Sequence, residues 1–142
     1  MRGIFMRLKL STDYAIRIIL YLATENQIVP ILELSTKLGI PQSLVFKINK
    51  KLKFAGIINT YSGLQGSVSL ALPAERITLY QIVNIMESTT IINRCLEDDE
   101  YCSPFSTSYC PVRKFYCRLQ NDIETALASI TIASLLENSE KD

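Results

Sequence analysis

The chain contains no histidine and no tryptophan. Without histidine there is no Ser-His-Asp or Cys-His hydrolytic machinery, no imidazole general base and no histidine-containing metal site. None of the four cysteines forms a Cys-x-x-Cys pair, which argues against the knuckles of structural zinc sites and the redox pair of thiol oxidoreductases. Long apolar runs are missing as well. The longest, around Ile16–Ala23, is interrupted by Arg17 and is too short to span a membrane. The opening Met1–Met6 is too short for a signal peptide, because Arg7 and Lys9 follow at once. Repeats, low-complexity tracts and Gly/Ser linkers are absent too. These gaps exclude most enzyme classes and predict a soluble cytoplasmic protein with no membrane partner.

Net charge is also scarce, at +1, but it is unevenly divided. Residues 1–94 carry 11 Lys/Arg against 5 Asp/Glu, whereas residues 95–142 carry 4 against 9. A basic front suits a polyanion, and an acidic back implies a different task.

The hydrophobic pattern predicts a mainly α chain with a small β-wing. Ser11 or Thr12 can cap a first helix that runs to about Asn26. Tyr14, Ala15, Ile18, Ile19 and Leu22 share one face and other apolar residues cover much of the rest. Asp13 and Arg17, four apart, fit an ion pair on its surface. Val29-Pro30 opens a short helix over Ile31–Leu38, and Gly39 stops it. Pro41 suits the first turn of a third helix, Pro41–Phe54. That helix puts Val45, Ile48 and Leu52 on one side and Gln42, Ser43, Lys47, Lys50 and Lys51 mostly on the other. Two helices around a tight turn, the second basic on its open face, read as a helix-turn-helix. Two β-prone runs flanking Ser62–Gly66 read as a hairpin, the wing. Thr78 and Gln81 have capping-box spacing at the start of a fourth helix, with Ile77 and Ile82 as a hydrophobic staple.

From Pro111 to about Leu136 the chain again reads helical. Tyr116, Leu119, Ile123, Ala126, Ile130 and Ala133 form a stripe that needs a partner, which predicts a dimerisation helix. The resulting division is a winged helix-turn-helix DNA-binding domain over 1–88, a cysteine-bearing sensor loop over 89–110, and a dimerisation helix and tail over 111–142.

All four cysteines, Cys95, Cys102, Cys110 and Cys117, lie within residues 95–117. In a cytoplasmic chain such thiols are metal ligands, redox-active groups or core residues rather than structural disulfides. Three sulfurs on a loop ahead of a helix can converge on one small cluster, and Cys110 before Pro111 sits where a helix N-terminus favours a thiolate. Cys117 is two turns further along and reads as a packed helix residue, with ligation as the alternative. Glu97, Asp98, Asp99 and Glu100 read as a solvated acidic run.

Met6–Arg17, Ile31–Ser35, Gly39-Ile40, Lys51-Leu52, Ala55-Gly56-Ile57, Leu70-Ala71, Pro73 and Ile77-Thr78 follow one another in a set order and spacing. With the order of the elements, they resemble the Rrf-two family of bacterial winged-helix regulators, of the IscR and NsrR type. The resemblance implies that Cys95, Cys102 and Cys110 bind an iron–sulfur cluster, 2Fe-2S or 4Fe-4S. Asp13-Tyr14 and Val45–Ile48 resemble the NsrR branch, which implies Asp13 of the partner subunit as fourth ligand, with Cys117 second. Arg113 stands where some members carry a histidine, and it cannot ligate at neutral pH. Ser62 and Gly66-Ser67 replace the family's wing arginine and paired glycines. No Lys or Arg occurs between Lys53 and Arg76. Tyr61, Gln65 and the loop amides would then make the wing's contacts.

The expectation is a homodimeric repressor reading a palindromic double-stranded operator. Gln42, Ser43 and Lys47 would reach base edges, with Lys50, Lys51 and Lys53 on phosphates. The cluster would sense iron–sulfur status, nitric oxide or redox state. The alternative is a regulator of the same fold without a cluster, switched by thiol oxidation or a protein partner. A zinc site and a small thiol oxidoreductase are weaker readings.

Overall fold

The computed structural model describes residues 7–63, 66–97 and 110–140. Helix α1, Leu10–Glu25, runs through the centre of the fold. Ala15, Ile18, Ile19 and Leu22 are sealed from solvent, and Ile16, Leu20 and Ala23 pack around them. A helix that is apolar on most sides must be covered on most sides, and α1 is.

The segment Val29–Pro30 forms a short strand, β1, and α2 follows directly over Ile31–Leu38. Gly39 ends α2 in the left-handed region, φ +66°, as the sequence implies. Helix α3 spans Gln42–Phe54. Pro41 is its N-cap rather than its first helical residue, and the Pro41 carbonyl accepts from the amides of Leu44 and Val45. Strands β2, Ile58–Tyr61, and β3, Ser67–Leu70, are the arms of the wing, with Tyr61 opposite Ser67.

The wing sheet has three strands, not two, in the order β1-β3-β2, all antiparallel. Val29 pairs with Val68, and both are fully buried. A proline in the second and last position of an edge strand costs little, because its missing N–H lies outside the ladder. The wing is thereby anchored beside the start of α2. Gly66 holds φ +80° there, and its carbonyl accepts the Ile31 amide at 3.2 Å. A Cβ at that position would stand 3.3 Å from Ile31 Cδ1.

Helix α4, Leu79–Met86, begins with the expected capping box. The Thr78 hydroxyl accepts from the Gln81 amide, and the Gln81 side chain accepts from the Thr78 amide. Ile77 and Ile82 are both fully buried, as a staple requires. At the other end of α4, Glu87 corrects the expectation for the start of α1. Neither Ser11 nor Thr12 is the cap. Lys9 is, and it has no side-chain cap. The Glu87 carboxylate accepts the Lys9 amide at 2.9 Å and the hydroxyl of the fully buried Thr12. A carboxylate brought from far along the chain meets the positive end of α1.

The long C-terminal helix is present as α5, Pro111–Ser129, about 28 Å long at 1.5 Å per residue. It ends at Ser129 and does not continue to Leu136. A separate helix, α6, covers Ile132–Glu140 and packs on α1. The break has a local cause. Ile130-Thr131-Ile132 is a β-branched run, and Thr131 bridges to Thr78 in extended conformation. The Leu79 amide donates to Ile130 O and the Ile132 amide to Ile77 O, both at 2.9 Å. Thr131 and Ser134 then cap α6 reciprocally, each amide donating to the other's hydroxyl at 3.0 Å. Ile132 enters the central core, fully buried. Ala133 therefore does not extend the α5 stripe.

Candidate functional site

The basic face of α3 is built by subtraction. Val45, Ile48 and Leu52 are fully buried and dock the helix on the core. Their spacing turns Ser43, Phe46, Lys47, Lys50 and Lys51 outward, all exposed, while Gln42 is half-exposed. Helix α3 carries four lysines and no acidic residue. The turn holding it to α2 is closed by the Ser35 hydroxyl, which donates to Ile40 O at 2.6 Å, and by the Ile40 amide, which donates to Ser35 O. Gln42, Ser43, Lys47, Lys50 and Lys51 thus share one helix beside the wing.

In the wing, Tyr61 is 41% exposed and its hydroxyl lies 3.1 Å from Ser69 Oγ. Gln65 lies outside the described residues. Tyr61 and the α3 face are joined through β2, which packs directly on α3. Two features of α3 were not legible in the pattern. Phe54 is 96% exposed at its end. Asn49 lies inward, 3% exposed, and neither its Oδ1 nor its Nδ2 has a hydrogen-bond partner among the described residues.

Behind α3, Tyr21 on α1 donates to Glu33 on α2 at 2.6 Å. The bond to Glu33, burial and the Glu33 charge push the Tyr21 hydroxyl up to about 12. Asp13 pairs with Arg17 inside α1, Arg17 Nε to Asp13 Oδ2 at 2.8 Å. The hydrogen bond and charge of Asp13 raise the Arg17 guanidinium further above its usual range.

Cys110 is the N-cap of α5 and is half-buried. Cys95 sits in a single 3-10 turn, Arg94–Leu96, that packs on α5, and Arg113 Nε reaches the Cys95 carbonyl at 3.4 Å. Both are free thiols. Cys102 lies outside the described residues, as do Asp98, Asp99 and Glu100. Cys117 is exposed on α5, not packed as its helical position suggested. Among the described residues no three Cys, Asp or Glu are grouped to hold a metal ion. Cys95 and Cys110 are donors of the kind a thiolate cluster uses, but they form an incomplete set.

Gln120 is the residue that sequence reasoning missed. It is the one buried side chain of α5. Its Oε1 accepts the Ile92 amide at 2.9 Å and its Nε2 donates to Thr90 O at 2.9 Å and to Glu124 Oε1 at 3.1 Å. It fastens the segment leading to Cys95 onto α5. No hydrophobic periodicity could have marked it.

A model of the Rrf2 (Rrf-two) family, described as iron-dependent transcriptional regulator, matches residues 8–138. The chain belongs to the Rrf2 family. Protein aau3 of Rhizobium meliloti strain 1021 is 31% identical to it over 133 residues, which is 93% of this chain and 86% of that protein. Among solved structures, T. potens IscR superposes with a TM-score of 0.74 at 18% identity, covering 96% of this chain and 90% of that one. CymR, the global cysteine regulator of B. subtilis, superposes with a TM-score of 0.76 at 18% identity, covering 94% and 98%. At these identities the structures show a shared fold. As an Rrf2 member the chain is a DNA-binding transcriptional regulator and not an enzyme. Among the described residues no helix is long and apolar enough to cross a membrane.

Proposed function

We infer that this Rrf2 protein is a homodimeric repressor that lays α3 of each subunit in successive major grooves of a palindromic operator. The observation that carries the reading is the exposed face of α3, where Ser43, Lys47, Lys50 and Lys51 stand clear of a helix anchored by Val45, Ile48 and Leu52. Gln42, Ser43 and Lys47 read base edges. Lys50 and Lys51 hold phosphates, and Tyr61 and Gln65 bring the wing to the backbone. The second copy is recruited by α5, whose Val112 and Phe115 are more than half exposed in the single chain. The test is a gel-shift series on duplexes enriched from a random pool. Lys47→Ala weakens specific binding more than non-specific binding. Equal weakening would make Lys47 a phosphate contact.

Control passes through the sulfurs at the start of α5. Two thiols near the start of α5 and no third grouped donor among the described residues favour a switch by thiol oxidation or a protein partner. The family's description as iron-dependent supports a second reading. Here Cys95, Cys102 and Cys110, with Asp13 of the partner subunit, hold an iron–sulfur cluster that senses iron–sulfur status, nitric oxide or redox state. The cluster would supply reversible, labile thiolate ligation, and this chain's part is to present thiolates and to let the segment after α4 move when they are released. Iron and sulfide analysis of anaerobically purified protein separates the two. Iron-free protein whose operator affinity responds to oxidation and loses that response in Cys110→Ser supports the thiol switch. Bound iron and sulfide lost in Cys102→Ala support the cluster.

A further inference from the structure

We propose that Phe46 is a base-reading residue that requires a thymine in each operator half-site by packing its ring on the thymine C5-methyl group. The proposal rests on the DNA-reading face described above and names what one position of that face recognises.

Phe46 is 46% exposed, although its neighbours Val45 and Ile48 are buried to 1% or less. It is the one large apolar side chain between the two ends of the exposed α3 face. Ser43 lies one turn before it, Lys47 beside it and Lys50 one turn after it, all exposed. Nearly half of its surface stays open to solvent, so the fold alone does not cover it. What covers it must suit its surroundings. With four lysines and no carboxylate on α3, the complementary partner is a polyanion. Lys50 and Lys51 take the phosphates, and the ring, one turn after Ser43 and beside Lys47, meets the base edges that those two residues read.

In the major groove the bases offer acceptors at guanine, a donor at cytosine, and both kinds at adenine. The thymine methyl is the only apolar group. A phenyl ring can neither donate to nor accept from the polar edges. Against guanine, cytosine or adenine it strips water from a polar atom and returns nothing. Against thymine it buries a methyl. Phe46 therefore selects in both directions, by gaining contact with thymine and by penalising the other bases.

The test uses the full chain and duplexes enriched from a random pool. Each thymine of the enriched duplex is replaced in turn by deoxyuridine, which removes only the methyl group. The expected result is one two-fold-related pair of positions where the replacement weakens binding about four-fold per half-site, the worth of one buried methyl. Phe46→Ala is expected to bind the thymine duplex more weakly and to lose the difference between thymine and uracil at that pair. Phe46→Leu should keep part of it. Because the ring is exposed, both variants should melt with the wild type, and a melting curve checks this. If no thymine is sensitive, or if Phe46→Ala keeps the sensitivity, the assignment to Phe46 is overturned while DNA reading by α3 stands. A pool that yields no preferred duplex overturns the reading of α3 itself, and this proposal with it.

Discussion

The winged part and the α5 arm are made from similar proportions of apolar residue, yet they treat it differently. In the winged part, α1, α3 and α4 meet over a core in which Ile18, Leu52, Val68 and Ile82 are sealed. Along α5, the buried side chain is a glutamine, while Val112 and Phe115 stand in solvent and Leu119 and Ile123 are half-covered. The first region is a finished core. The second is half of one. On the reading proposed above, the apolar surface left open on this helix is removed from water by a second copy of it, at roughly 25 cal/mol per Å² buried. The difference teaches that the stable core rests in residues 10–86 with α6, and that on the proposed reading assembly is a separate matter, left to α5.

That separation can be broken most severely with one substitution on each side. Leu52→Ala should cost about 2–5 kcal/mol in urea denaturation at any protein concentration, because it opens a cavity in a sealed core. Phe115→Ala should change the stability of the single chain by no more than about 0.5 kcal/mol, yet raise the dimer dissociation constant in sedimentation equilibrium. If Phe115→Ala unfolds the chain as Leu52→Ala does, the two regions are not distinct. Next in size is the joint between them. Gln120→Ala strands the Ile92 amide and the Thr90 carbonyl, and should cost about 1–3 kcal/mol with faster hydrogen exchange at Ile92. Unchanged exchange there would show that Gln120 is not the fastening.

Among the described residues of the winged part, Asn49 is a flaw in the core, and mending it sharpens the contrast. Asn49→Leu should raise stability by about 1 kcal/mol, because its buried amide has no partner among the described residues. A lower urea midpoint would mean that the amide is satisfied. The smallest effect is alkaline. The folded chain keeps the Tyr21 proton up to about 12, whereas an ordinary tyrosine loses it near 10. The Tyr21–Glu33 contribution is thus whole below pH 10 and lost between pH 10 and about 12. The stability difference between wild type and Tyr21→Phe should shrink across that window, and a difference independent of pH would remove the role assigned to the bond.

Much of the winged part was legible because its signals are local. The Thr78/Gln81 box, the Gly39 stop and the Val45–Ile48–Leu52 spacing each lie within a few residues, and each recurs in the structure. The exposed basic face of α3 followed from the same spacing, since fixing the buried side of a helix fixes the other. The sulfur site was legible only as a cluster in sequence. Of its expected ligands Cys95 and Cys110 flank the start of α5, Asp13 is engaged by Arg17, and Cys102 lies outside the described residues.

The amino-acid order by itself determined the helices, the turn between α2 and α3, and the basic face, because backbone preference and 3.6-residue periodicity act over one or two turns. Tertiary structure alone decided the third wing strand at Val29–Pro30, the Glu87 carboxylate at the start of α1, the break at Ile130-Thr131 and the grip of Gln120. Each joins residues 28 or more positions apart. Such contacts come from how finished elements pack, and no local pattern in the chain encodes them.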